Sequence, residues 1–172
     1  MPGNNLIEFT LANQESQLVE DHMTSPFGPF GTQIERLGDL LISKVSDEIF
    51  GDGDAARLTR VVIYNHASQD LFFLDSSFES GGFSAGMQPG TVEADTIGGY
   101  RVESHGAGTG VTGASVRFGL SPADGTAALE IVTSNPFIGD NTGVANGADG
   151  LTARYSVSVG NANQFDVDVF AA

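Results

Sequence analysis

The sequence predicts a mainly β protein, an antiparallel β-sandwich with one N-terminal amphipathic α-helix. Three observations carry this expectation. From residue 58 onward apolar side chains recur with a period of two, as in "QFDVDVFA", where Phe165, Val167 and Val169 alternate with Asp166 and Asp168. Turn signals at Gly98-Gly99, Asp124-Gly125 and Gly160-Asn161 separate these runs. No helical pattern falls between them, which argues against a parallel sheet with crossover helices. The length of 172 residues suits one domain with a buried core. Within it, residues 1–31 form an N-terminal extension, 32–50 the helix and 58–172 the sandwich.

The elements follow in order. In the extension, Ile7, Phe9 and Leu11 alternate with Glu8 and Thr10, a pattern suited to a half-buried strand. "SPFGPFG" then ends any regular element with its prolines and glycines. Thr32 and Glu35 form a capping box ahead of an apolar run, with Phe30 placed as a staple. Ile34, Leu37, Leu41, Val45 and Ile49 put one apolar stripe along residues 33–50, and "GDGD" ends the helix. That stripe either packs on the sandwich or detaches to lie on a bilayer. About eight short strands follow, at "RVVIYN", "LFFLDSS", "TVEAD", "YRVES", "ASVRFGLS", "ALEIVTS", "TARYSVSV" and "QFDVDVFA". Residues 134–150, "SNPFIGDNTGVANGADG", read as a long polar loop joining two strands. Long loops at the end of a sandwich either bind ligands or simply form a compact surface excursion.

Composition narrows the function classes. Seven basic residues against 22 acidic ones give a net charge of -15. Such a chain repels phosphate backbones, and Arg57 with Arg60 makes no basic stripe, so nucleic acid is not an expected partner. Anionic lipid is disfavoured for the same reason. With no cysteine there is no disulfide framework, thiolate metal site or cysteine nucleophile. No stretch approaches 18 uninterrupted apolar residues, the length of a spanning helix. The opening "MPGNNLIEFTLANQES" lacks a basic n-region and a long apolar core, so it does not read as a secretory signal. The compartment stays open: the chain stays in the cytoplasm, leaves it by lysis or a leaderless route to act on membranes, or has had a signal trimmed.

Catalytic and cofactor motifs are weak. "GTGVTG" (108–113) spells G-x-G-x-x-G, but a dinucleotide loop needs that motif to open a helix, and strand periodicity follows here. Its glycines are expected to shape a turn into a strand. His22, His66 and His105 stand far apart, with no paired-histidine spacing and no G-x-S-x-G elbow for a serine nucleophile. "FGDGDA" and "IGDNTG" are acidic but lack the spacing of a twelve-residue calcium loop. The expectation is therefore no enzyme, no cofactor and no metal.

Residues 30–137 resemble the actinoporins, pore-forming cytolysins in which an amphipathic N-terminal segment precedes a β-sandwich. "VVIYNHASQDL" looks like the first hairpin of that family. "SFESGGF" is similar to its F-x-S-G step, which implies a head-group-binding role for Ser80. "TGVTG" matches a T-G-V-x-G stretch and implies that Thr112 lines a phosphocholine pocket. "LSPADG" is similar to an S-D-G turn, and "SNPF" to S-x-P-aromatic, which puts Ser134 and Pro136 on further pocket positions. After "SNPF" the family continues with tyrosines and tryptophans, whereas this chain has no tryptophan and continues "IGDNTG". Its shorter C-terminal half looks more like the aegerolysins, acidic lipid-binding sandwiches made without a signal peptide.

The resemblance implies a membrane-lipid-recognising, cytolysin-like sandwich for a zwitterionic or neutral head group. Ser80, Thr112, Ser134 and Pro136 would line the site, with Phe137 and Ile138 touching the membrane interface. Two alternatives stay open: a glycan-binding lectin on the same fold, and a structural protein that self-assembles into a homo-oligomer through the helix stripe or sheet edges.

Overall fold

The computed structural model describes residues 56–106 and 108–172. The N-terminal extension (1–31), the 32–50 helix and the "FGDGDA" loop lie outside the described residues. Nine strands follow: β1 (Leu58–Asn65), β2 (Phe72–Ser77), β3 (Gly82–Phe83), β4 (Thr96–Glu103), β5 (Val111–Gly119), β6 (Leu129–Asn135), β7 (Thr142–Gly147), β8 (Leu151–Val157) and β9 (Ala162–Ala171). They form a five-stranded sheet in the order β3-β4-β1-β9-β8 and a four-stranded sheet in the order β2-β5-β6-β7. The sandwich read from the sequence is the fold observed.

One pair departs from antiparallel order. β1 runs parallel to β9, with Val61 opposite Phe165 and Ile63 opposite Val167. Among the described residues these are the first and last strands, and the other seven lie between them. The long connection removes the hairpin constraint that makes sequential strands antiparallel. Both strands therefore start at the same end of the sandwich.

The period-two pattern holds where both faces matter. On β9, Asn163, Phe165, Val167 and Val169 point inward, and on β1 Val61 and Ile63 join them in the core. Tyr100, Phe118 and Phe165 are the largest buried side chains. Edge-on ring contacts link Phe73 to Phe118 at 6.2 Å and Phe83 to Tyr100 at 5.8 Å between centroids, the arrangement aromatic quadrupoles favour.

Three sequence expectations are corrected. Gly98-Gly99 is not a turn but lies within β4, opposite Ile63 and Val62 of β1. "TVEAD" is not a strand, since only Val92 makes a bridge, to Leu71. Beyond the two-way backbone bridge of Val92 to Leu71, side chains take up neighbouring backbone groups. The Asn65 amide donates to the carbonyls of Val92 (3.3 Å) and Glu93 (3.0 Å), and Asp70 accepts from the Ala94 N–H at 2.9 Å. Residues 134–150 are likewise not one long loop, because β7 runs through them and pairs with β6 from Ser134↔Thr142 to Leu129↔Gly147. Its "TGVANG" hides the strand pattern because glycine stands where an apolar residue would be expected. A Cβ on Gly143 would come within 2.2 Å of the Phe165 ring, so the buried aromatic occupies the space of that missing side chain. Gly82–Phe83 is too short to show any period.

Candidate functional site

The strand directions gather one set of connections at one end of the sandwich. These are the β2–β3 turn around Glu79–Gly81, the approach to β5 at Gly108–Gly110, the β6–β7 turn from Pro136 to Asn141, and the β8–β9 turn from Ser158 to Asn161. Arg57, just before β1, enters here too and is tied to the end of β4, its carbonyl accepting from the Ser104 N–H at 3.0 Å.

The sequence-selected residues meet at this end. Ser80 and Thr112 form a two-way backbone bridge, N–H to carbonyl at 3.2 and 3.1 Å. The Ser80 hydroxyl donates to the Gly110 carbonyl at 2.9 Å. Gly110 lies against the β6–β7 turn, where a Cβ would sit 2.6 Å from Pro136 Cα and 2.7 Å from the Phe137 nitrogen. Gly113 has a left-handed φ of 54°, and the β5–β6 register shifts between Val111 and Ala114. Its N–H is taken up by the Ser134 hydroxyl at 3.0 Å. The glycines of "GTGVTG" therefore admit a neighbouring backbone and a bulge at the start of β5. No helix follows, so the geometry of a pyrophosphate cradle is missing.

Ser80, Thr112, Ser134 and Pro136 are half-buried and contiguous through these contacts, while Phe137 and Ile138 project beyond them. Part of the hydroxyl capacity is already committed. Ser80 has spent its proton on Gly110 but keeps an accepting oxygen. Ser134 accepts from Gly113 but keeps its proton. Together they offer one acceptor and one donor.

Three contributors were not evident in the sequence. Arg57 clamps the β6–β7 turn: its Nε donates to the Pro136 carbonyl at 2.9 Å and a terminal nitrogen donates to the Phe137 carbonyl at 2.6 Å. Its guanidinium carbon also lies 5.0 Å from the Phe137 ring centroid, a cation–π contact. Asn141 ties two turns together, its amide donating to the carbonyls of Gly160 at 2.8 Å and Ser158 at 3.4 Å. Val159 on the second turn is 90% exposed, Ile138 on the first is 87% exposed and Phe137 is 45% exposed. No spacing rule links Arg57 to carbonyls some eighty residues away. Val159 did leave a signal, an apolar residue directly before the Gly160-Asn161 turn.

Glu79 crosses Gly113, with its Cγ 2.5 Å from where a Cβ would stand, and Asp140 lies exposed in the β6–β7 turn. Arg57 directs its guanidinium to the Pro136 and Phe137 carbonyls. Among the described residues, no group of three or more His, Asp or Glu side chains is placed to hold a metal ion. Nor is any described helix long and apolar enough to cross a membrane.

No protein-family model matches the chain, and no curated protein sequence matches it significantly. Solved structures do share its fold. The lipid-binding protein Nakanori superposes with a TM-score of 0.60 at 13% identity, over 80% of this chain and 82% of that one. RahU protein, in complex with a TRIS molecule, gives 0.55 at 11% identity, over 69% of this chain and 97% of its own. IP-1A from Alcaligenes faecalis gives 0.50 at 12% identity, over 68% and 92% respectively. At these identities the likeness is one of fold.

Proposed function

We propose that this protein is a non-enzymatic sandwich that recognises membrane lipid through the loop end built on Arg57, Ser80, Thr112, Ser134 and Pro136. The observation that carries the reading is the pair of apolar tips, Ile138 and Val159, projecting from adjoining turns beside half-exposed Phe137. Apolar side chains gain by leaving water, and such residues grouped on one rim are where a contact surface is sought. Just behind them stand the partly committed hydroxyls of Ser80 and Ser134. Apolar tips would enter the interfacial layer while the hydroxyls meet the polar part of a head group. With a net charge of -15, the preferred head group is zwitterionic or neutral. The shared fold with a lipid-binding protein supports the same direction.

Vesicle sedimentation tests it, with separate sphingomyelin, phosphatidylcholine and glycolipid mixtures and an anionic vesicle as comparison. Binding to at least one of the first three, exceeding that to the anionic vesicle, is expected. No sedimentation with any of them removes the reading. Dye release from the vesicles that bind reads pore formation separately, with the 33–50 stripe as the segment that would enter the bilayer.

A further inference from the structure

The core-facing rows of three strands turn polar at the loop end. On β1 the inward row reads Thr59, Val61, Ile63, and on β9 it reads Asn163, Phe165, Val167, Val169. On β6 it reads Leu129, Ile131, Thr133, Asn135. The four polar members are sealed from solvent: Thr59 and Asn135 are 0% exposed, Asn163 1% and Thr133 2%. Thr59 and Asn163 are register partners on adjacent strands. The Asn135 amide nitrogen reaches the Asn163 side-chain oxygen at 3.5 Å, so β6 faces that pair across the sandwich.

Hydrogen bonding within this cluster is incomplete. The Asn135 nitrogen donates to the carbonyls of Leu58 at 2.9 Å and Asn161 at 2.8 Å, and two carbonyl acceptors fix which end of the amide is which. Asn135 Oδ1, Asn163 Nδ2, Thr59 Oγ1 and Thr133 Oγ1 have no hydrogen-bond partner among the described residues. A buried polar atom without a partner forfeits its hydration, so such atoms in folded proteins are almost always satisfied. The inventory here is balanced: one carbonyl acceptor, one amide donor, and two hydroxyls able to do either. A water molecule donates twice and accepts twice, which is the complement of that set.

We propose that Thr59, Thr133, Asn135 and Asn163 form a closed internal hydration site, holding one or two long-lived waters between the sheets directly beneath the loop end. The site is independent of the lipid reading. Its water would accept from Asn163 and from one hydroxyl, and donate to Asn135 and to the other. Through the Asn135 nitrogen, the same cluster also fixes the start of β1 and the β8–β9 turn.

Water-selective NOE and ROE spectra of the full-length, 15N-labelled protein test this directly. The side-chain amide protons of Asn163 should show cross-peaks to water whose sign marks a water held far longer than those of the surface hydration layer. Thr133→Val and Thr59→Val, which keep shape and remove a hydroxyl, should each weaken that cross-peak and lower the urea midpoint. The absence of a long-lived water cross-peak in the parent overturns the proposal. So does a raised midpoint in both variants, because deleting an unhydrated and unpartnered hydroxyl stabilises a core. If a valine variant fails to fold, the parent spectrum alone decides.

Discussion

Replacing both apolar tips with serine, Ile138→Ser together with Val159→Ser, should weaken vesicle binding about 30-fold while leaving the fold intact. The magnitude follows from exposure. Ile138 is 87% and Val159 is 90% exposed, so nearly all of each side chain is available for transfer into lipid. Fully burying an aliphatic side chain of this size is worth about 1.5–3 kcal/mol. A loop tip in the interfacial layer stays partly hydrated, which leaves about 1 kcal/mol for each. The tips lie on turns joined by Asn141, but neither side chain needs the other for burial, so their effects should add to about 2 kcal/mol. That is the 30-fold loss, since about 1.4 kcal/mol corresponds to a factor of ten. Each single variant should lose about 5-fold by the same conversion. The assay is sedimentation across a lipid titration, using whichever vesicle the parent binds. Urea unfolding is the control: surface changes of this kind should move stability by less than about 0.5 kcal/mol. A double variant that binds as tightly as the parent would refute the assignment of these tips to the membrane contact, even if the protein binds lipid elsewhere.

The other expectations test the parts that hold this end together. Arg57→Gln removes the charge-assisted bonds to the Pro136 and Phe137 carbonyls and the contact with the Phe137 ring. It should cost about 1–2 kcal/mol in urea unfolding and loosen the turn that presents Ile138. Gly143→Ala drives a methyl group into the Phe165 ring and should cost about 1–3 kcal/mol. Adding Phe165→Leu to it should cost less than the two single effects combined, because the clash is then relieved. Asp166 supplies a pH test: burial is the largest influence on its carboxyl and, with repulsion from Asp168, raises its pKa above 3.8 despite hydrogen bonds from Gln164 and Tyr64. The folded state therefore keeps this proton where the unfolded chain has lost it, and the contribution to stability falls as pH rises from 3.8 through the folded pKa. Asp166→Asn should remove that decline, so its gain over the parent in urea midpoint should be larger at pH 7 than at pH 3.5.

How much of this was legible in the sequence depended on whether a residue's task was local. β9 was plain because one of its faces is packed on the core and the other is polar, so Phe165, Val167 and Val169 alternate with aspartates. β7 was not, because Gly143 yields its side-chain space to Phe165, a residue contributed by the opposite sheet. "TVEAD" misled in the other direction, its alternation anchoring a single residue, Val92, on Leu71. At the loop end, motif resemblance selected Ser80, Thr112, Ser134 and Pro136, and hydrogen bonds and close backbone packing do bring them together. Arg57 and Asn141 were invisible because their partners are backbone carbonyls, which carry no residue identity.

The dipeptide Ser134-Asn135 shows why the loop end and the interior should be considered together. Successive residues of a strand face opposite ways, so at the end of β6 one side chain serves each side. The Ser134 hydroxyl secures the bulge of β5 at Gly113, beside Ser80 and Thr112. The Asn135 amide reaches inward to the carbonyls of Leu58 and Asn161. Leu58 follows Arg57, which grips the Phe137 turn, and Asn161 follows the tip that carries Val159. The two apolar tips are therefore tied through backbone to the same buried amide. Bonds from protein donors to carbonyls shielded from bulk solvent hold geometry more firmly than exposed ones. The tips are preorganised from below, which lowers the ordering cost of any surface they meet.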